Sequence, residues 1–343
     1  MKDFGKYFSR LLLSLPVLGV FACSSNIEDE QVYRGEALGT TYQIKFYHPE
    51  QIDIEPGLDS IFEVINTSMS TYRADSDISR INAGDSSIVI DDHFHEVFNA
   101  SLKIYEESGR MFDPTVGKLV NAYGFGPEGP KNNLNEQELD SIKNYVGFDK
   151  LRLTNDGRLS KQQPGIYIDF NAIAKGYTVD VIARYLDQKG VENYLAEIGG
   201  ELVARGRNLS RDQIWAVGID DPRQEEGNRK LQAAVKLENR AMATSGNYRK
   251  FRTDPETGRS YVHTINPLTG LAEESDLLSV SVLAENCTLA DGYATAFMAL
   301  GYEGSLEMLE RISNVDAYLI YLDRNSEVQV YVSPGFKDAL LEE

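Results

Sequence analysis

Four stretches of the chain hold residue types that do chemistry. Tyr167-Ile168-Asp169-Phe170-Asn171-Ala172-Ile173-Ala174-Lys175-Gly176 runs from an apolar stretch into a turn of small residues that opens a helix. Backbone amides at a helix start hold phosphate, a lysine adds a point charge, and turn carbonyls bind a cation. The same residues also read as an Asp N-cap followed by a surface Lys. In Ala290-Asp291-Gly292-Tyr293-Ala294-Thr295 the Asp and Thr are i and i+4, so they share one helix face. A carboxylate and a hydroxyl are hard oxygen ligands suited to Mg²⁺; the plain alternative is a helix-surface Asp beside a back-bonded Thr. Ala241-Met242-Ala243-Thr244-Ser245-Gly246-Asn247-Tyr248-Arg249 clusters small and hydroxyl residues around a Gly, a seat for a phosphoryl or ribose group or else a polar turn. Tyr261-Val262-His263-Thr264-Ile265-Asn266-Pro267 places His263 at a strand end before an Asn-Pro turn. With an ordinary pKa of about 6.5, a histidine there suits proton transfer near neutral pH, or it is structural. No nucleophilic triad, no Cys/His zinc spacing, no Walker A and no G-x-G-x-x-G motif accompanies these stretches.

The elements that must position them read as mixed α and β. Tyr42, Ile44 and Phe46 alternate, which predicts a strand over 40–47. Leu58, Ile61, Phe62, Ile65 and Met69 recur at helical spacing, as do Phe94, Val97, Phe98, Leu102 and Tyr105, with Gly109 as a C′ residue. Asn135 and Glu138 form a capping-box pair opening another helix. Asn155-Asp156-Gly157 predicts a hairpin between 151–153 and 158–160. A short strand is expected at 167–170, followed by a helix carrying Val179, Ile182, Ala183 and Leu186. Further strands are expected at 194–198, 201–205, 215–219, 261–265 and 278–284, then a helix from Thr288 to Leu300 and a last hairpin of 317–322 with 328–332. Helices and strands intersperse without a strict β-α-β repeat, which favours α+β over a doubly wound sheet.

The chain has 343 residues and a formal net charge of −19, and no run of Lys or Arg forms a basic stripe, so nucleic-acid binding is disfavoured. With 42% hydrophobic and 25% charged residues, disorder is disfavoured too. Two cysteines, Cys23 and Cys287, exclude a disulfide-stapled scaffold. Lys2, Lys6 and Arg10 precede an apolar run from Leu11 to Ala22, too short to span a bilayer comfortably but fitting a signal-peptide core. The run ends Val20-Phe21-Ala22-Cys23, which resembles a bacterial lipobox. That resemblance implies a signal peptide over 1–22, cleavage before Cys23, and acyl chains such as palmitate on Cys23; the plain alternative is an ordinary secretory signal with Cys23 incidental. Residues 23–31 then form a lipidated polar tether and 32–343 the functional domain. Such lipidation implies a protein held at the bacterial cell envelope, with the inner membrane facing the periplasm as the expected site, and it leaves Cys287 without an intramolecular partner.

Taken together, the ordered blocks resemble the ApbE-type flavin transferases, also called FAD:protein FMN transferases. The resemblance covers residues 33–335. It rests on Leu38-Gly39-Thr40-Thr41-Tyr42, Met69 through Asn82 with Ser70-Thr71-Tyr72-Arg73, Phe112-Asp113-Pro114-Thr115-Val116-Gly117-Lys118, and Tyr123-Gly124-Phe125-Gly126-Pro127. It continues through Asp169–Gly176, Glu197-Ile198-Gly199-Gly200-Glu201, Ala243–Arg249, His263–Gly270 and Ala290–Thr295.

The resemblance implies an ApbE-like (T-fold-related) α+β fold of mixed sheets with packed helices, one large domain of two fused lobes. It implies FAD as substrate, Mg²⁺ as cofactor, and transfer of FMN to a Ser or Thr hydroxyl of another protein with release of AMP. The relatives' other chemistry is Mg²⁺-dependent hydrolysis of FAD to FMN and AMP, and a non-catalytic FAD-binding lipoprotein is the third reading. Carried over by position, Leu38, Tyr72, Met111, Phe112, Asp113, Asp169, Lys175 and Ile265 contact FAD. The Ala172 carbonyl, Asp291 and Thr295 hold the metal, and His263 is the general base. The chain departs from the pattern with Leu38 for Met, with Ala172 in the metal turn, with Asn266-Pro267 for Asp-Pro, and with Ala294 where some members carry a carboxylate. No Asp-x-x-(Ser/Thr)-Gly-Ala acceptor motif occurs, so the target is a separate protein, expected to be a membrane redox subunit.

Overall fold

Strand periodicity accounts for the central layer. In the computed structural model, which describes residues 29–129, 134–224, 227–246, 251–253, 260–262, 264–272 and 275–341, the chain forms, in order, β1 (Glu30–Ala37), β2 (Thr40–Tyr47), β3 (Leu151–Leu153), β4 (Leu159–Lys161), β5 (Asn193–Ile198), β6 (Glu201–Arg205), β7 (Arg207–Asn208), β8 (Gln213–Asp220), β9 (Leu231–Leu237), β10 (Ala241–Gly246), β11 (Phe251–Thr253), β12 (Ser260–Val262), β13 (Leu277–Ala284), β14 (Asp316–Leu322) and β15 (Val328–Val332). The helices are α1 (Glu55–Met69), α2 (Asp77–Asn82), α3 (Asp92–Glu107), α4 (Gly117–Tyr123), α5 (Glu136–Lys143), α6 (Ala174–Gln188), α7 (Cys287–Leu309) and α8 (Pro334–Ala339).

Eight strands make one antiparallel sheet in the order β1-β2-β5-β6-β10-β13-β14-β15. Alternation decides its two faces. Along β5, Tyr194, Ala196 and Ile198 point to the main core, which α1, α3, α6 and α7 cover, while Leu195 points to the other face. On that second face a three-stranded sheet, β7-β8-β9, packs Trp215, Ile219, Val235 and Leu237 against Leu202, Leu283 and Ile320, and Phe336 of α8 closes the layer. A third apolar cluster gathers α4 and α5 around Ile265 and Ala272.

Two helices matter most for the site. The α6 and α7 starts meet at Gly176, where a Cβ would lie 2.3 Å from the Cys287 carbonyl oxygen and 2.7 Å from the Asp291 Cβ. Only glycine admits that approach. Asp180, one turn further along α6, accepts from the Cys287 N–H (2.8 Å), the Thr288 N–H (2.8 Å) and the Thr288 hydroxyl (2.5 Å). It thereby satisfies donors that a helix start leaves open. Asn286 caps the same terminus through the Leu289 N–H. Cys287 itself is fully buried, its Sγ facing the Met242 carbonyl. α7 breaks at Gly301 (φ +74), where Asp276 accepts the Tyr302 N–H.

Several expectations change. Residues 167–170 are not a strand: only Tyr167 bridges, to Val116, because the Asn82 amide takes both backbone groups of Ile168 at 2.8 Å and Asp169 N–H donates to the Pro114 carbonyl. The 241–246 stretch is no turn but the inner strand β10, paired to β6 and β13. The strand expected at 261–265 is β12, which ends at Val262 among the described residues. β1 takes up Glu30 and Gln31, two residues assigned to the tether. The leader with Cys23 lies outside the described residues, and no helix among the described residues is long and apolar enough to cross a membrane.

Candidate functional site

At one end of the large sheet β5 turns into β6 and β10 ends. Gly199 (φ +63) and Gly200 (φ +107) make that turn, and Glu197 accepts the Gly200 N–H at 2.7 Å. Beside it opens a cleft of ≈ 890 Å³, within the range of ligand pockets. Tyr72, Met111, Phe112, Asp113, Asp169, Ala172, Lys175, Ile265, Asp291 and Thr295 all line it. They come from sequence segments far apart, so the fold gathers them. Leu38 is not in the wall: it sits with Gly39 in the β1–β2 turn (φ +51 and +74), packed against the main core, and Thr40 and Thr41 line the cleft instead. His263 lies outside the described residues; its neighbours Thr264 and Ile265 are in the wall.

The base of the cleft is charged, and its two carboxylates are buried. Lys175, at the start of α6, is no surface lysine: its Nζ contacts Glu201 Oε1 at 2.5 Å. Burial works against the ammonium, but Asp291 and Glu201 outweigh it, so its pKa is raised. Asp291 is 3% exposed, and its Oδ2 accepts the Gly176 N–H at 3.0 Å. Burial raises its pKa, partly offset by Lys175. Glu201 is pushed up to about 7, chiefly by burial, with Lys175 opposing and Asp291 reinforcing. Its Oε2 is buried and has no hydrogen-bond partner from another described residue. Thr295 donates to the Ala172 carbonyl at 3.4 Å, which brings the turn before α6 onto the Asp291 face of α7.

The walls are more varied. Asp169 is not the N-cap of α6, since Ile173 holds that place without a side-chain cap. Its Oδ1 accepts the Asn171 N–H at 2.7 Å, and burial raises its pKa. Asp113 is committed to the backbone: Oδ1 takes the Thr115 N–H (2.8 Å) and hydroxyl (2.6 Å), and Oδ2 the Phe148 N–H (3.2 Å). Tyr72 stands 64% exposed, its ring available for stacking. Thr244, Ser245 and Gly246 of β10 complete the rim, with the Thr244 and Ser281 hydroxyls 2.8 Å apart.

A metal fits this base by its donor chemistry. A carboxylate, a hydroxyl and a backbone carbonyl offer oxygen only, the preference of Mg²⁺, which keeps water in its remaining positions. Among the described residues no three His, Cys, Asp or Glu side chains gather into a metal cage.

The ApbE family model matches residues 38–319, most of the described fold. The chain belongs to the ApbE family. A curated FAD:protein FMN transferase of Haemophilus influenzae is 34% identical over 335 residues, covering 94% of this chain and 95% of its own length. One from Vibrio cholerae is 35% identical over 320 residues, covering 91% and 93%. Among solved structures, the flavin transferase ApbE of Vibrio cholerae superposes with a TM-score of 0.80 at 32% identity, covering 91% of this chain and all of that one. The apo flavinyl transferase of Pseudomonas stutzeri does so with a TM-score of 0.80 at 30% identity, over 91% and 97%. The mixed α+β architecture with antiparallel sheets is therefore the ApbE fold.

In the sequence Glu201 stands only inside the Glu197–Glu201 block, and neither Asp180 nor the β8 wall carries a sign of its place in the site. Glu201 meets Lys175 across 26 positions of chain, and a carboxylate after Gly-Gly carries no local sign of that partner.

Proposed function

We propose that this chain transfers the FMN half of FAD to a Ser or Thr hydroxyl of a separate protein, with Mg²⁺ as cofactor and AMP as the leaving product. The observation that supports it most is the convergence of Lys175, Asp291, Thr295 and the Ala172 carbonyl at the base of one cleft large enough for a nucleotide. Curated relatives named for this reaction, alike over nine-tenths of their length, point the same way.

The reaction exchanges a phosphoanhydride for a phosphoester and leaves the flavin's oxidation state unchanged. The acceptor oxygen bonds to the flavin-side phosphorus, the bond from that phosphorus to the AMP oxygen breaks, and the hydroxyl proton goes to a base. An alcohol attacking a pyrophosphate is opposed by negative charge, which a bound Mg²⁺ relieves by polarising the phosphoryl oxygens. Asp291, Thr295 and the Ala172 carbonyl would hold it. Lys175 supplies a fixed positive charge beside the phosphates, kept protonated by Glu201 and Asp291. Tyr72 offers its exposed ring to a flavin or adenine face. Asp113 acts on the loop that carries Met111 and Phe112, holding it in the wall. His263 is the proposed base, placed two residues before Ile265 by sequence alone.

Mass spectrometry of a synthetic peptide carrying Asp-x-x-Thr-Gly-Ala, incubated with the full chain, FAD and Mg²⁺, tests the reading. An added FMN mass is expected, and none with His263→Ala or Asp291→Ala. FMN and AMP without an adduct would make the chain a hydrolase, and unchanged FAD would leave only a binder. The reading extends to location: Val20-Phe21-Ala22-Cys23 supports a lipid anchor on the envelope, with a tether of few residues before β1 and a membrane redox subunit as acceptor. An acylated Cys23 peptide from the membrane fraction checks this, and an unmodified Cys23 there would refute it.

A further inference from the structure

The cleft continues past its charged base. Gln43 and Lys45 of β2, Leu195 of β5 and Ala216–Asp220 of β8 also line it. Leu195 belongs to the face of the large sheet opposite α6 and α7, so the cleft bends round the Gly199-Gly200 turn onto that outer face. A Cβ built on Gly200 meets nothing within 4 Å, which leaves a low sill at the bend.

β8 forms one side of this outer arm, and its pairing is one-sided. From Trp215 to Asp220 it pairs with β9. Its other edge meets β7 only at Gln213 and Ile214. Between Ala216 and Ile219 that edge has no strand against it among the described residues. In an antiparallel strand bonded on one side, every second residue turns its N–H and C=O to the open side. Such an edge is a template for an added strand unless it is covered. Trp215 and Ile219 anchor β8 in the apolar layer, so the edge is held rigidly.

Resting on the transferase reading, we propose that the open edge of β8 receives the hydroxyl-bearing segment of the acceptor protein as an added strand, which crosses the Gly199-Gly200 sill to the phosphates. The chemistry demands such an approach: a hydroxyl borne by a folded protein must reach a phosphorus beside Lys175 and Asp291, and Asp291 is buried. An extended segment enters a narrow cleft where a globular surface does not, and strand addition recognises it through its backbone. Charge supports the same occupant. Lys45 stands in the arm without an ion pair among the described residues, in a chain of net charge −19. It complements an acidic side chain such as the Asp of the Asp-x-x-(Ser/Thr)-Gly-Ala segment.

The test leaves the enzyme intact and alters the acceptor. Peptides carrying Asp-x-x-Thr-Gly-Ala with flanking residues are N-methylated at one backbone position at a time and assayed with FAD, Mg²⁺ and the full chain. Strand addition predicts losses of about tenfold or more in kcat/KM at alternate positions and near-normal values between them, one hydrogen bond corresponding to roughly that factor. Equal tolerance or equal loss at every position overturns the docking mode. If the unmethylated peptide takes up no FMN, the transferase reading itself fails. A charge swap adds an independent arm: Lys45→Glu is expected to raise the KM of the peptide, and an Asp→Lys peptide to restore it. If Lys45→Glu instead weakens FAD binding with the peptide KM unchanged, the arm holds nucleotide and the proposal falls.

Discussion

The loop at Asp113 and the junction of α6 with α7 both bury carboxylates, and they use them oppositely. Asp113 has each oxygen taken by the chain's own N–H and O–H groups, and Asp180 beside the junction is filled in the same way. At the junction's centre, among the described residues, Asp291 accepts a single backbone N–H and Glu201 leaves one oxygen without a partner, with one lysine facing both carboxylates. A saturated buried carboxylate is architecture, since it offsets its desolvation with bonds that hold the loop. An unsaturated pair sharing one cation keeps capacity for something that arrives later.

Substitution separates the two uses. Asp291→Asn is expected to cost transfer about 10³-fold, with a metal-free melting temperature no lower than that of the parent, because the buried charge is relieved. A large fall in melting temperature would place Asp291 with the architectural group. Asp113→Ala is expected to reverse the pattern, losing about 3 kcal/mol in urea unfolding as three donors go unmet. An unchanged midpoint would remove the distinction. A third effect, spread over a pH window, is read from titration. Glu201 has its folded pKa raised to about 7 from 4.5. Its contribution is fully present below the unfolded value and is lost as pH rises through about 7, on the order of 3 kcal/mol across that window. Glu201→Gln should therefore flatten the decline of stability between pH 5 and 8 in metal-free protein; parallel slopes would deny Glu201 the perturbed titration.

Much of this architecture is legible in local pattern, for local reasons. β2, α1 and α3 follow from apolar spacing, and the Asn135–Glu138 capping box is formed as read. The stretch 167–170 reads as a strand because Ile168 and Phe170 are apolar, yet both bury from an irregular segment held by Asn82. β10 hides because Thr244, Ser245 and Gly246 have the composition of a turn, while its pairing partners lie 38–40 residues before it and 33–43 residues after it in the chain. The site shows the same limit. Lys175, Asp291 and Thr295 announce themselves by type and spacing, whereas Glu201 acquires its role from a lysine that only the fold brings to it.

Gly176 lets α6 and α7 touch at Cys287, and that closeness has a redox consequence. The reactive form of cysteine is the thiolate. Burial raises the Cys287 pKa well above its ordinary value, with Asp180 and Asp291 adding to the shift, and none of its surface is exposed. The thiol is therefore inert to oxidants and alkylating agents for as long as the two helices stay together. Its labelling rate becomes a clock for the opening of the junction, set by the same contact that places Asp291 in the cleft.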